Sequence, residues 1–452
     1  MATSKLDATT GDFKSLLGTQ MDQSDNIESL SPSSQPDSRT SHLTTQIDQD
    51  TLQAFYSIDM QVKKNLPKKL AAFKAHRVGA HHYTSVSGYG HDDLGRDTLD
   101  KVFAQIVEAE AAAVRVQFVS GTHAIACALF GVLRPGDEML AIAGTPYDTL
   151  EEVIGTRGSG QGSLRDFGVD YRELALTEDH QVDFEKLAAS VTEKTKLVLI
   201  QRSCGYSWRS SLSIHIINKI IQLVKQQNIN TICFVDNCYG EFTEDKEPTA
   251  GGADLMAGSL IKNPGGTIAT TGGYIAGRAE LVEAAACRLT APGIGSSGGA
   301  TLEQGRLMYQ GLFLAPQMVG EAMKGNYLIA KTFESLGYAT NPPAPAQQRE
   351  VIQAVKLGSA DKLVAFCQAV QQHSPIDSYV SPVPAEMPGY DDKLVMAGGS
   401  FIDGSTSELS ADGPMREPYV VYCQGGTHWT HVAIALEAAA AAIGPATSPD
   451  KP

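Results

Sequence analysis

The segment TICFVDN, residues 231–237, decides the fold class of this chain. Its apolar and β-favouring residues form an unbroken run, which is typical of a strand buried on both faces of a sheet. Similar runs occur in EMLAIAG (138–144) and KTKLVLIQ (194–201), and IHIINKIIQLVKQQ (214–227) has helical periodicity. The alternation predicts an α/β fold with a mostly parallel, doubly wound sheet and helices on both of its faces.

The same alternation extends on both sides of that segment. VRVQFVS (114–120) and GGYIAG (272–277) are predicted strands, and THAIACALFGVL (122–133) and ELVEAAACRL (280–289) are predicted helices. DTLQAFYSIDMQV and TLDKVFAQIVEAEAA, nearer the N-terminus, repeat apolar residues at helical spacing, and we predict Asp97 as the N-cap of the second.

Composition shifts divide the chain into four predicted regions. Residues 1–49 are rich in Ser, Thr, Asp and Gln, so we predict a disordered tail. Residues 50–95 form a helical segment and an active-site arm, and 96–315 form the large domain. Residues 316–445, which contain the proline-rich loops NPPAPA and SPVPAEMPGY, form a smaller C-terminal α+β domain.

Charge and apolar runs limit the partners of the chain. Its 452 residues carry a formal net charge of −15, which argues against nucleic acid or an anionic membrane as a partner. No apolar run reaches membrane-spanning length, and no secretory or transit pattern is recognisable, so we expect a cytoplasmic protein. The seven cysteines include no CxxC pair, which indicates reduced, buried thiols.

An acid and a lysine stand where a parallel sheet places its ligands. Asp236 ends the run ICFVD, and Lys262 ends the segment ADLMAGSLIK. A carboxylate that keeps a pyridine nitrogen protonated, together with a lysine that forms a Schiff base, is the grip used for pyridoxal phosphate. Read alone, Asp236 is equally a turn former or helix cap.

A phosphate-binding segment is predicted at Ser120-Gly121-Thr122. Gly121 permits close approach of the backbone, and the amides of Gly121 and Thr122 at a helix N-terminus attract an anion. The hydroxyls of Ser120, Thr122 and Ser259 are further candidate phosphate ligands. A plain capping motif is the alternative for this segment.

These residues carry a family resemblance. VDNCYGEF, GSLIKNPGG, VSGTHAI and GTPYDTLEEVIG resemble the fold-type-I pyridoxal-phosphate enzymes of cysteine and methionine metabolism. The closer resemblance, across about residues 60–440, is to the methionine gamma-lyase-like or aluminium resistance branch, through segments such as SGYGHDDLGRDTLDKVFAQIVEAEAA and RLTAPGIGSSGGAT. It implies a fold-type-I transferase-like fold and pyridoxal 5'-phosphate as the cofactor.

The resemblance also implies individual roles. Lys262 is the Schiff-base lysine, Asp236 the partner of the pyridine nitrogen, and Tyr147 the aromatic residue that stacks on the cofactor ring. Tyr89 and Arg96 lie in the region from which a neighbouring subunit reaches the cofactor phosphate. The family's shared active sites imply a homodimer or homotetramer.

Arg416 is our candidate for binding the substrate carboxylate, with a surface ion pair as its alternative. Two departures from the branch pattern, His91 in GYGHDD and the stretch 427–430 in QGGTHWTH, are expected near the substrate pocket. The histidines lack Cys or acidic partners at ligand spacing, so no metal site is predicted.

The implied activity is that of a carbon–sulfur lyase acting on a sulfur-containing amino acid by α,β- or α,γ-elimination. An aminotransferase on the same scaffold is the alternative among enzymes, and a non-catalytic stress or aluminium-resistance protein is the alternative outside them.

Overall fold

The structure is a computed structural model, and it describes residues 47–446. The predicted disordered tail lies, up to residue 46, outside the described residues. The last residue of the predicted tail, Gln49, is already the first residue of a helix.

The first sheet has seven strands, and its core strands are the apolar runs of the sequence. They are β1 (Ala111–Arg115), β2 (Glu138–Ala141), β3 (Asp170–Glu173), β4 (Thr195–Gln201), β5 (Ile232–Asp236), β6 (Leu255–Ser259) and β7 (Gly273–Gly277). Their order is β1-β7-β6-β5-β4-β2-β3, and β7 runs antiparallel to β1 and β6, while all other neighbouring pairs are parallel. The predicted mostly parallel sheet is confirmed.

Ten α-helices accompany the strands in the described part of the chain. They are α1 (Gln49–Ala75), α2 (Leu94–Ile106), α3 (Gly121–Val132), α4 (Asp148–Ile154), α5 (Phe184–Ser190), α6 (Ile214–Gln227), α7 (Ala279–Leu289), α8 (Gly305–Ser335), α9 (Ala360–Gln372) and α10 (Trp429–Ile443). None of these helices is long and apolar enough to cross a membrane.

Helices cover both faces of the first sheet because its strands are apolar on both faces. Val198 and Ile200 of β4 pack in one core with residues of α2, α6 and the start of α8. Leu197 and Leu199 of the same strand point to the opposite core, which α3, α4 and α7 complete. This is the doubly wound arrangement that the sequence predicts.

The second sheet is antiparallel and lies in the C-terminal part of the chain. Its strands are β8 (Ala339–Asn341), β9 (Ile352–Lys356), β10 (Leu394–Ala397), β11 (Ser410–Pro414) and β12 (Val420–Gln424), in the order β10-β11-β12-β9-β8. Helices α9 and α10 pack on one of its faces. Helix α8 contributes to the cores of both sheets and crosses the domain boundary predicted at residue 315.

The structure corrects two local predictions and adds two strands that were not predicted. Asp93, not Asp97, is the N-cap of α2, since its Oδ1 accepts a hydrogen bond from the backbone N–H of Arg96 at 3.0 Å. The first strand begins at Ala111 and ends at Arg115, because its small residues pair with β7. Strands β3 and β6 were not predicted as strands: β3 is polar, and β6 is rich in small residues.

Candidate active site

A cavity of about 300 Å³ lies at the carboxyl ends of the central parallel strands. Gln201, Asp236 and Ser259 are the last residues of β4, β5 and β6, and all three line it. The opposite side is formed by residues of β10, β11 and β12. Ligands of open α/β sheets bind at this edge.

Lys262 projects into this cavity from the loop that follows β6. The next residue, Asn263, fixes the loop by donating hydrogen bonds to the carbonyl oxygens of Tyr239 and Glu241, both at 3.0 Å. The Lys262 Nζ atom lies 3.5 Å from the centroid of the Tyr239 ring. Burial disfavours the charged amine, but the neighbouring Tyr239, Cys238 and Asp236 outweigh burial and raise the pKa of Lys262.

Asp236 lies in the same cavity with 8% of its surface exposed. Its Oδ1 atom accepts a hydrogen bond from the backbone N–H of Cys238 at 3.1 Å. Burial raises the pKa of this carboxyl group, against the opposing effects of that hydrogen bond and of Lys262. A buried carboxylate of this kind is stabilised by a cationic partner in the cavity.

The predicted phosphate-binding segment starts α3 and also lines the cavity. Ser120 caps the helix, since its Oγ accepts a hydrogen bond from the backbone N–H of His123 at 3.0 Å, and its hydroxyl group can still donate to a phosphate. A Cβ atom on Gly121 would lie 3.1 Å from Ser259 Cβ and 3.2 Å from Cys238 Sγ. The Ser259 Oγ atom is buried and has no hydrogen-bond partner among residues 47–446. A narrow cradle, a helix N-terminus and a free hydroxyl fit a phosphate group.

Tyr147 lines the cavity at the start of α4, and its position is fixed from two sides. Its backbone N–H donates a hydrogen bond to Gln201 Oε1 at 2.7 Å, and its hydroxyl group is hydrogen-bonded to that of Tyr390. With Tyr206 and Tyr422 these two tyrosines form an aromatic surface, the tyrosine wall, whose neighbouring ring centroids are 5.1–6.0 Å apart.

Asp412 is a cavity residue that the sequence analysis missed. It lies on β11 opposite Tyr422 of β12, so both side chains leave the second sheet on its cavity side. Burial raises the pKa of Asp412 to about 7, opposed by the Tyr206 hydroxyl and by Lys262. The segment LSADGP, residues 409–414, has no periodicity that indicates this role.

Three predicted site residues are not brought to the cavity. Tyr89 is 84% exposed at the surface. Arg96 is buried, but its guanidinium group binds the carbonyl oxygens of Gly90 and Gly299 and the carboxylate of Asp97, so its donors serve the fold. Arg416 is at the surface in an ion pair with Asp392 at 2.9 Å, as its alternative interpretation states.

The two departures from the branch pattern also lie outside the cavity lining. His91 is exposed beside Tyr89. His428 caps α10, and the ring of Trp429 packs on that of Phe55, with centroids 5.6 Å apart. The expectation that both stretches surround the pocket is therefore wrong within this chain.

The charge of the cavity is acidic. Lys262 is the only basic side chain that the described residues contribute to its lining, against Asp236, Asp403 and Asp412. Across residues 47–446, no group of three or more His, Cys, Asp or Glu side chains is arranged to hold a metal ion.

The chain is similar to several known proteins. The chain is 51% identical to an uncharacterized protein of Bacillus subtilis, YnbB, over 83% of this chain and 89% of that protein. A solved structure from Clostridium novyi, a carbon–sulfur lyase involved in aluminium resistance, is 46% identical with a TM-score of 0.86, and the match covers 90% and 96% of the two chains.

A second solved structure, from Listeria monocytogenes, is provisionally named as a cystathionine beta-lyase involved in aluminium resistance. It is 47% identical with a TM-score of 0.87, and the match covers 89% of this chain and 100% of that one. These likenesses confirm the predicted fold-type-I fold. The methionine gamma-lyase family profile matches residues 40–444. The chain therefore belongs to the methionine gamma-lyase family.

Proposed function

We propose that this protein is a pyridoxal-phosphate-dependent carbon–sulfur lyase that acts on a sulfur-containing amino acid by α,β- or α,γ-elimination. One observation carries the proposal: Lys262, Asp236 and the unpartnered Ser259 hydroxyl face a single cavity. The provisional names of the solved relatives support the same class of reaction.

Each of these residues has a defined task in holding the cofactor. The amides of Gly121 and Thr122 and the hydroxyl groups of Ser120 and Ser259 bind its phosphate. Asp236 keeps its ring nitrogen protonated, Tyr147 packs on its ring, and Lys262 binds it covalently. When bound, pyridoxal phosphate supplies an electron-withdrawing ring that stabilises negative charge at the α-carbon of an amino acid.

Lys262 also moves the proton that starts the reaction. With its amine free and neutral, Lys262 would accept the α-proton as a general base. The electron pair left at the α-carbon would allow a thiolate to leave from the β-carbon. For α,γ-elimination, Lys262 would first have to release the α-proton and then remove a proton from the β-carbon before the thiolate leaves the γ-carbon. Hydrolysis of the remaining fragment gives a 2-oxo acid and ammonia.

We also propose that the active protein is a homodimer or homotetramer with shared sites. Tyr89 is exposed in the single chain, and Arg96 holds its loop by binding the carbonyl oxygens of Gly90 and Gly299. This loop is therefore ordered and available to a second copy. Analytical ultracentrifugation of the protein and of Tyr89→Ala measures the assembly. A monomer that binds the cofactor at full strength would contradict shared sites.

The activity is tested by measuring release of thiol, 2-oxo acid and ammonia from L-methionine and from thioethers of L-cysteine. A lyase forms all three products without an oxo-acid acceptor, whereas an aminotransferase needs the acceptor and releases no thiol. Lys262→Ala should abolish thiol release. Lys219→Ala is the matched control, because Lys219 also lies over an aromatic ring, Phe184, but away from the cavity. Acceptor-dependent turnover without thiol would overturn the proposal.

A further inference from the structure

We propose that the second-sheet side of the cavity is a subsite for a cationic group on the sulfur-bearing side chain of the substrate. The inference rests on the proposed lyase function and narrows its substrate class to thioethers that carry an ammonium group beyond the sulfur. The observation that carries it is the placement of Asp412 beside the tyrosine wall.

The charges in the cavity exclude an anionic side chain at this subsite. Lys262 and Asp236 are both engaged with the cofactor in the proposed function. The described residues then leave Asp403 and Asp412 in the lining, with no arginine, histidine or second lysine. An anionic group would be disfavoured near these two acids, whereas an ammonium group would be attracted and would stabilise the ionised form of Asp412.

Asp412 is built to receive a cation. Only 7% of its surface is exposed, and its Oδ1 atom has no hydrogen-bond partner within the described part of the chain. Its Oδ2 atom accepts a hydrogen bond from Gln424 Nε2 at 3.5 Å, a long contact. A buried carboxyl group with an unused oxygen is costly to ionise unless a cationic ligand pairs with it.

The tyrosine wall supplies the second half of the subsite. Tyr206 is its central ring, with centroid distances of 5.1 Å to Tyr422 and 5.8 Å to Tyr390. These rings line the same cavity as Asp412, and the faces of aromatic rings attract cations. Several rings around one acid form the kind of surface that recognises ammonium groups.

The strand register explains why these groups converge. Asp412 pairs with Tyr422, and Ser410 pairs with Gln424, across β11 and β12. All four side chains line the cavity, while the intervening Ala411 and Cys423 point into the core behind the sheet. The pleat of two strands therefore presents one polar and aromatic face to the substrate.

The test uses three thioethers of similar length: S-(2-aminoethyl)-L-cysteine, S-propyl-L-cysteine and S-carboxymethyl-L-cysteine. Each is also prepared on L-homocysteine, so the result does not depend on the carbon from which sulfur leaves. For the unmodified holoenzyme we expect kcat/KM to be at least about 10-fold higher for the ammonium compound than for the neutral one, and lowest for the carboxylate. Equal values, or a preference for the carboxylate, would overturn the inference.

Two single-residue variants test which carboxyl group causes the preference for the ammonium compound. Asp412→Asn should lower the ratio of ammonium to neutral kcat/KM by about 10-fold. Asp403→Asn, which removes the same charge from an exposed position of the lining, should lower it less. Titration calorimetry of the same compounds with cofactor-loaded Lys262→Ala, which lacks the catalytic amine, measures binding alone and should give the same ranking.

The outcomes separate this inference from the proposed function. Thiol release from all compounds without a charge preference would reject the cationic subsite and leave the lyase proposal standing. No thiol from any compound, together with a protein that does not bind pyridoxal phosphate, would reject the lyase proposal itself.

Discussion

The two sides of the cavity are built in different ways. On the side of the first sheet, Asp236 and Ser259 are the last residues of β5 and β6, and Lys262 follows three residues later. On the side of the second sheet, Asp412 and Tyr422 project from the middle of paired antiparallel strands. The end of a strand can be recognised in a sequence from the end of its apolar run. The face of the sheet on which a residue of a short strand lies cannot. In the proposed function, the first side carries the chemistry and the second selects the substrate.

Removing the acid of the first side should have the largest effect. Asp236→Ala is expected to lower kcat by on the order of 100-fold or more, because the ring nitrogen of the cofactor loses the carboxylate that keeps it protonated. Steady-state kinetics of thiol release measure this.

Asp254→Asn is the matched control for that variant. Asp254 is equally buried but lies before β6, where its carboxylate accepts a hydrogen bond from the backbone N–H of Cys233 at 2.8 Å. Asp254→Asn should lower the free energy of unfolding, but it should lower kcat much less than Asp236→Ala does. Equal losses of kcat in both variants would show that Asp236 acts only through the fold.

The next largest effect should come from adding a side chain at Gly121, in the predicted phosphate-binding segment, which should weaken the binding of pyridoxal phosphate. In Gly121→Ala the new Cβ lies 3.1 Å from Ser259 Cβ, so we expect the dissociation constant of pyridoxal phosphate to rise about 10-fold. Gly398 lines the opposite side, where a Cβ would meet nothing within 4 Å, and Gly398→Ala should leave that constant unchanged. Equilibrium titration of the apoprotein compares the two, and equal constants would break the assignment of the cradle.

Asp412, the acid on the side of the second sheet, should make the stability of the folded chain depend on pH. Burial raises the pKa of Asp412 from its ordinary 3.8 to about 7, so the folded chain keeps a proton that the unfolded chain releases. The stability of the parent protein therefore falls as the pH rises through this window. The groups whose charges interact with this carboxyl are Lys262, Tyr147, Tyr206, Tyr239, Tyr390, Tyr422, Cys367 and Cys423.

Asp412→Asn removes this penalty. Relative to the parent, its Tm should be higher at pH 8 than at pH 4, by on the order of 2 °C. Differential scanning calorimetry of the apoprotein at both pH values measures the difference. Asp403→Asn, whose carboxylate is solvated at the rim, should not show it. A variant whose relative Tm is the same at both pH values would contradict a buried, protonated Asp412.

The smallest effect on catalysis is expected for a residue outside the cavity. Arg416→Ala removes a half-exposed ion pair with Asp392, and surface pairs of this kind contribute about 0–1 kcal/mol. We expect KM to change by less than about 3-fold in steady-state assays. A KM increase of about 30-fold or more would restore Arg416 as the residue that binds the substrate carboxylate.

How much of the site the sequence predicts follows from the same comparison. The structure brings seven predicted residues into one cavity: Ser120, Gly121, Thr122, Tyr147, Asp236, Ser259 and Lys262. The first five follow or end an apolar strand or begin a helix, whereas Lys262 and the nearby Ser259 were predicted from the lysine that ends an apolar, small-residue segment. Asp412 and Tyr422 were missed, because their shared face depends on the register of two strands that are paired only in the folded chain. The contact of Arg96 with the Gly299 carbonyl was not predicted, because it joins segments about 200 residues apart.

Elements of the fold that depend on pairing in the folded chain were also not predicted. The apolar runs of β4 and β5 were sufficient to predict the parallel sheet, whereas β3 and β6 lack that pattern and are held by their neighbours. The second sheet was predicted only as an α+β region. Its short strands pair across loops whose lengths give no periodic signal.

The visible absorption spectrum of the purified protein, with and without borohydride and followed by peptide mapping, tests directly whether Lys262 binds pyridoxal phosphate. We predict an absorption band from bound pyridoxal phosphate that borohydride abolishes, with the reduced cofactor attached to Lys262. A colourless protein that stays unmodified at Lys262 after addition of pyridoxal phosphate would contradict the account.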